Sequence, residues 1–122
     1  MIFVIGPLFS GKQDYIMQAL GWSETDFLEK AVRDVQNLAA EAAEAVETSH
    51  SPLDDLQEKL RNLADRLSQK EVVIATETGC GVIPLDPRER RNREAAGRLS
   101  CLLAERAETV VRVCCGIPQV LK

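Results

Sequence analysis

The sequence predicts an α/β fold built on a short parallel sheet of about three strands. Two observations point there. Ile2-Phe3-Val4-Ile5, Val72-Val73-Ile74-Ala75 and Thr109 to Cys115 are short apolar runs rich in β-branched residues, the pattern of strands buried on both faces. Capped amphipathic helical patterns lie between them, and strands alternating with helices imply right-handed crossovers. A chain of 122 residues fits one domain over 1–122, with no separate substrate domain.

The first strand ends at Gly6-Pro7, and a helix is expected from Gly11 to Leu20, with Tyr15, Ile16, Ala19 and Leu20 on one side and Gly21 as its stop. Ser23, with Asp26 three residues on, resembles a capping box. Phe27, Leu28, Ala31, Val32, Val35, Leu38, Ala39, Ala42 and Val46 then recur at helical spacing, predicting one long helix to about Glu47. Ser51-Pro52 restarts the pattern with a cap and a proline in the first helical position. Leu53, Leu56, Leu60, Leu63 and Leu67 follow. The two helices are expected to form an inserted antiparallel hairpin over about 23–69. After the second strand comes a Gly- and Pro-bearing loop, then a third long helix capped by Asp86 with Pro87 and Glu89. Its apolar positions are Ala95, Ala96, Leu99, Leu102, Leu103 and Ala107. Gly116-Ile117-Pro118 turns the chain after the last strand.

Composition bounds the function. Hydrophobic residues make up 45% and aromatics 4%, so the core is aliphatic. A net charge of −4 does not suit coating a phosphate backbone, so nucleic acid is not an expected partner. No apolar run approaches the roughly 18 residues needed to span a bilayer. The apolar opening Met1 to Ile5 is short and has no basic residue before it, so no leader is expected. Cys80, Cys101, Cys114 and Cys115 form no C-x-x-C pair. Reduced, buried thiols in a cytoplasmic protein are the expectation, with Cys114 and Cys115 on opposite faces of a strand.

The chemistry-bearing motif is Gly6-Pro7-Leu8-Phe9-Ser10-Gly11-Lys12, a G-x-x-x-x-G-K sequence directly after a buried strand and before a helix. The glycines allow a tight turn that converges backbone N–H groups on phosphate oxygens. Lys12 adds charge, and the helix presents its N-terminal dipole. These features predict a small P-loop NTPase-like domain. Gln13 stands where Ser or Thr would offer a hydroxyl to Mg²⁺; its amide oxygen is a longer, neutral substitute that weakens any metal site. Gly6, Pro7, Leu8, Phe9, Ser10, Gly11, Lys12 and Gln13 are therefore the expected nucleotide-binding residues.

Thr76-Glu77-Thr78-Gly79-Cys80-Gly81 follows the second strand, at the sheet edge where open α/β proteins bind ligands. Glu77 is the candidate acidic residue, beside a metal-bound water or an acceptor hydroxyl. Arg88, Arg90, Arg91 and Arg93 crowd the start of the third helix, where cations oppose its dipole. They face phosphate or form a solvated basic face paired with Glu89 and Glu94. His50 sits in an inter-helix turn, the place of a surface residue.

Two blocks carry a family resemblance. The first is Ile2 through Lys12. The second is Glu71-Val72-Val73-Ile74-Ala75-Thr76-Glu77-Thr78-Gly79-Cys80-Gly81-Val82-Ile83-Pro84, continuing through Arg90-Arg91-Asn92-Arg93-Glu94-Ala95-Ala96-Gly97-Arg98-Leu99, Val110-Val111-Arg112-Val113 and Gly116-Ile117-Pro118-Gln119-Val120-Leu121-Lys122. The chain resembles the adenosylcobinamide kinase / adenosylcobinamide-phosphate guanylyltransferase family of cobalamin biosynthesis. The second block is similar to that family's strand and N-E-V-G-x-G-I-V-P loop. The resemblance implies a P-loop fold, a homo-oligomer (often a trimer), phosphorylation of a cobinamide hydroxyl by ATP or GTP, and guanylyl transfer through a histidine. The family's histidine-arginine-tryptophan segment and its strand ending in D-C-L-T have no counterpart in the helical middle. The nucleophile role is therefore not carried onto His50, and guanylyl transfer is not expected.

The expected function is an ATP- or GTP-binding, cobinamide-kinase-like transferase, with Lys12 and Glu77 as catalytic residues. Its expected partners are a nucleotide, a cobinamide-type small molecule and further copies of itself, as a dimer or trimer joined through the helices. The alternative is a non-catalytic interaction or regulatory protein that keeps the fold.

Overall fold

A computed structural model describes residues 1–78 and 83–122. The elements run β1 (Ile2–Gly6), α1 (Lys12–Leu20), α2 (Glu24–Lys30), β2 (Ala31–Val32), α3 (Val35–Ala45), α4 (Pro52–Leu67), β3 (Val72–Thr76), α5 (Pro87–Arg106), β4 (Thr109–Cys114) and β5 (Ile117–Val120). The fold is α/β, and the sheet has five strands in the order β2-β3-β1-β4-β5. The first four are mutually parallel, and β5 closes one edge antiparallel to β4.

Strand alternation divides the core into two layers. Phe3, Val73, Ala75 and Val110 face α3, α4 and α5, where Val35, Ala39, Leu60, Leu63, Leu99 and Leu103 complete a dry layer. Val4, Val72, Ile74, Val111 and Val113 face the other way, onto Ile16 of α1 and Phe27 of α2. Burial on both faces is why these strands read as continuous apolar runs rather than alternating ones.

Three sequence expectations are corrected. Among the described residues the sheet has five strands, not three. The helix foreseen from 23 to 47 is broken: α2 ends at Lys30, and Ala31–Val32 pair with Val72 and Val73 of β3. Glu71 N–H donates to Lys30 O at 3.0 Å. Pairing with the open edge of β3 outweighs local helical periodicity here, since an unpaired edge leaves backbone groups without partners. Two residues are too few to display a strand's period of two. The hairpin is also different, because α3 and α4 each pack mainly on α5. Of the leucine seam, Leu56, Leu60, Leu63 and Leu67 are buried within this chain, while Leu53 at its start is exposed.

Local cues behave unevenly. Ser23 and Asp26 form the expected capping box, and Asp86 Oδ1 accepts from Arg88 N–H at 2.9 Å. Ser51 makes no side-chain cap, although Pro52 starts α4. The cysteines contradict the buried expectation: Cys101, Cys114 and Cys115 are free and exposed. Cys114 ends β4, paired with Ile117, and Cys115 lies in the β4–β5 turn at φ 54°. Gly79, Cys80, Gly81 and Val82 lie outside the described residues. Among the described residues no helix is long and apolar enough to cross a membrane.

Candidate functional site

β1 delivers the phosphate loop to the middle of the sheet, and close backbone contact holds it there. A side chain on Gly6 would collide with the carbonyl oxygen of Val113, so β1 and β4 need glycine at this point. Gly11 has φ 86°, and a Cβ there would come within 3.3 Å of Gly116 Cα. Gly116 N–H donates to Ser10 O at 2.8 Å, so the β4–β5 turn braces the loop from outside. Phe9 also adopts a left-handed conformation, at φ 57°, with its ring 94% exposed.

Lys12 is the first residue of α1 and is buried, 8% exposed. Its ammonium donates to Pro7 O at 2.6 Å, Gly6 O at 3.3 Å and Ser10 Oγ at 3.4 Å. The charge is thereby centred over the loop. Burial pushes its pKa below the usual lysine value, while the carboxylates of Asp34 and Glu77 pull it part of the way back.

The two residues singled out for catalysis meet at one atom. Gly6 O accepts from Lys12 Nζ and also from Glu77 N–H at 2.9 Å. The Glu77 carboxylate is gripped by Arg112, whose Nε and Nη2 donate at 2.7 and 3.1 Å. Glu77 lines a small hollow of about 190 Å³ with Thr78, Arg93, Ala96 and Ser100, separate from the cleft at the phosphate loop. That larger cleft is about 510 Å³ and is lined by loop residues 8–13 with Asp14, Arg33, Asp34, Ile74 and Thr76. Thr76 borders both spaces. The volume suits a small-molecule ligand.

Gln13 is engaged: its Oε1 accepts from Arg33 Nη1 at 2.8 Å. The amide oxygen that stood in for a metal-binding hydroxyl thus faces a guanidinium, whose positive charge opposes a divalent cation there. Arg33 Nε also lies 3.9 Å from the Asp34 carboxylate. Magnesium therefore does not fit this pair of oxygen donors.

Arg33, Asp34, Arg112 and Gly116 were not foreseen as site residues. Arg33 and Asp34 were hidden inside the supposed long helix. The available signal was an acidic residue just after an apolar pair, Ala31-Val32, that could end a strand beside the loop. The arginine cluster divides. Arg88 bonds Glu44 on α3 and Arg91 bonds Glu47 in the turn just after it, tying the start of α5 to the end of α3. Arg90 donates to Leu85 O, and Arg93 alone of the four borders the Glu77 hollow. His50 is exposed in the α3–α4 turn, as its position suggested.

Residues 32–121 match the family described as cobinamide kinase / cobinamide phosphate guanyltransferase. The chain belongs to this family. It is also 37% identical over 70 residues to the bifunctional adenosylcobalamin biosynthesis protein CobP of Pseudomonas aeruginosa, which is 57% of this chain and 40% of that protein. The chain thus spans well under two thirds of that relative's length. The family match starts within β2 and includes the helical middle, which the sequence reading had set apart. It leaves out residues 1–31, so support for the phosphate loop is geometric.

Proposed function

We propose that the protein is a cobinamide-kinase-like member of this family that binds ATP or GTP on residues 6–13, as part of cobalamin biosynthesis. The observation that supports this is the buried Lys12 ammonium, centred on the loop carbonyls between β1 and α1, beside a cleft of about 510 Å³. Backbone groups of Gly6, Pro7, Leu8, Phe9, Ser10, Gly11 and Gln13 would surround the phosphates, with Lys12 as counter-charge. Residues 1–122 would act as one nucleotide-binding domain.

Phosphoryl transfer to a cobinamide hydroxyl is the reaction we assign. Glu77, fixed by Arg112, would accept the proton of a hydroxyl that reaches from its hollow past Thr76 towards the cleft, as that oxygen attacks the terminal phosphorus and the bond to the nucleoside diphosphate breaks. Guanylyl transfer is not part of the proposal. α3 starts at the cleft, and its eleven residues carry the chain roughly 16 Å away before His50, at 1.5 Å per residue. We further propose a cytoplasmic dimer or trimer. Exposed Ile117, Val120 and Leu121, on and just after edge strand β5, supply apolar surface for association. Sizing in solution tests this, and a clean monomer would count against it.

Calorimetry with ATP and GTP tests the binding site. Lys12→Ala should abolish binding, and an unchanged affinity would remove the assignment. Incubation of cobinamide with γ-labelled nucleotide tests transfer, with label expected in cobinamide phosphate. One observation favours a second reading, a nucleotide-binding protein without turnover: the Gln13 oxygen is taken by Arg33. Binding with no labelled product would select it.

A further inference from the structure

We propose that the Arg33 guanidinium takes the place of a divalent cation at the phosphate loop, so that Lys12 and Arg33 hold a nucleoside triphosphate without magnesium. This rests on the nucleotide-binding reading and goes beyond it. In phosphate loops of this kind the metal is held by a loop hydroxyl and a nearby carboxylate. Here both positions belong to one side chain. Gln13 Oε1, at the hydroxyl's place, accepts from Arg33 Nη1 at 2.8 Å. The Asp34 carboxylate, in the same cleft, is ion-paired with Arg33 Nε at 3.9 Å.

A guanidinium carries five N–H donors in a planar fork. The bond to Gln13 uses one, which anchors the group while leaving others for phosphate oxygens. Bidentate phosphate recognition is what this geometry favours. Charge balance in the cleft gives the same answer. Asp14 and Asp34 line it alongside Lys12 and Arg33. Without Arg33, one ammonium would face two carboxylates and an incoming polyanion.

Lys12 and Arg33 supply this charge and the neutral Gln13 amide anchors it, and each has a chain position that explains its reach. Lys12 comes from the start of α1. Gln13 follows it on the same helix. Arg33 arrives from the segment between β2 and α3, the break that converts the supposed helix into an edge strand. The break thus has a chemical consequence, because a continuous helix would not deliver residue 33 to this loop.

The test is calorimetry of ATP and GTP binding, with magnesium chloride or with EDTA, on wild type, Arg33→Gln, and the double variant Gln13→Ser/Arg33→Ala. Wild-type affinity should agree within about twofold between the two buffers. Arg33→Gln should lose roughly ten- to a hundredfold in EDTA, the range of a charge-assisted hydrogen bond. The double variant should bind only with magnesium. A wild type that needs magnesium, or an Arg33→Gln protein that binds normally in EDTA, overturns the inference while leaving nucleotide binding intact. No binding of either nucleotide in any buffer overturns both. Circular dichroism on each variant confirms the fold; Arg33 is 62% exposed in its side chain, so its replacement should not unfold the protein.

Discussion

Arg112 on β4 reaches across the end of β1 to hold Glu77, which follows β3, with two N–H bonds of 2.7 and 3.1 Å. The pair clamps the three central strands at the edge where the phosphate loop departs. Arg112 is a third exposed in its side chain and Glu77 15%, so solvent screens part of their attraction. A double-mutant cycle of Arg112→Ala and Glu77→Ala, read by urea denaturation, should give a coupling of about 1–2 kcal/mol. A coupling near zero would mean that the fork does not brace the sheet.

Gly6 is fixed by the close approach of Val113 O. A Cβ there would also come within 2.8 Å of Ser10 Oγ; the hydroxyl can turn aside but the Val113 carbonyl is backbone, so Gly6→Ala must push β4 away from β1 or shift the loop. Stability should fall by about 1–3 kcal/mol, as overpacking in a tight interior does. The lost helical or strand signal would be seen as an earlier thermal transition. An unchanged midpoint would show that the strands yield freely here.

Much of this architecture could be read from residues, and the exceptions share a cause. β1, β3 and β4 announce themselves because each buries both faces, and α5 because Asp86-Pro87 opens a long periodic run. β2 is invisible because Ala31 and Val32 suit a helical stripe as well as a strand; only the open edge of β3, remote in sequence, decides between them. β5 is hidden by Pro118 and by exposure, since Ile117 and Val120 face outward. At the candidate site, the positions of Lys12 and Glu77 after β1 and β3 could be read because the flanking patterns are local. Those of Arg33 and Arg112 could not, because their partners lie 20 or more residues away, Gln13 for Arg33 and Glu77 for Arg112, and Asp34 was hidden with Arg33 inside the supposed helix.

Phe9 holds a left-handed backbone with no buried contact to compensate, its ring being 94% exposed. A side chain in that conformation costs roughly 1–2 kcal/mol relative to glycine. Phe9→Gly should therefore stabilise the protein by about 1 kcal/mol, less some extra freedom gained by the unfolded chain. Thermal and chemical denaturation would measure it. Destabilisation would mean that the exposed ring makes a contact in solution, such as one with a second copy.

Lys12 gives a pH dependence with a definite sign. Burial holds its pKa below the ordinary lysine value, and Asp34 and Glu77 only partly oppose that. Between the folded value and the ordinary one, the unfolded chain binds more protons than the native protein, so stability rises with pH across that window. Below the folded value the penalty for burying the charge is fully present and constant. The unfolding free energy of wild type minus that of Lys12→Met should therefore be flat below the folded value and grow as pH climbs from there towards the ordinary lysine value. A difference that shrank with rising pH would mean a raised pKa, with the ammonium stabilised by its carbonyl and carboxylate neighbours. The same titration governs the ligand. A phosphate bound through the protonated amine must lose affinity once pH passes the value for the free protein. A wild-type affinity that stays level across that range would detach Lys12 from phosphate binding.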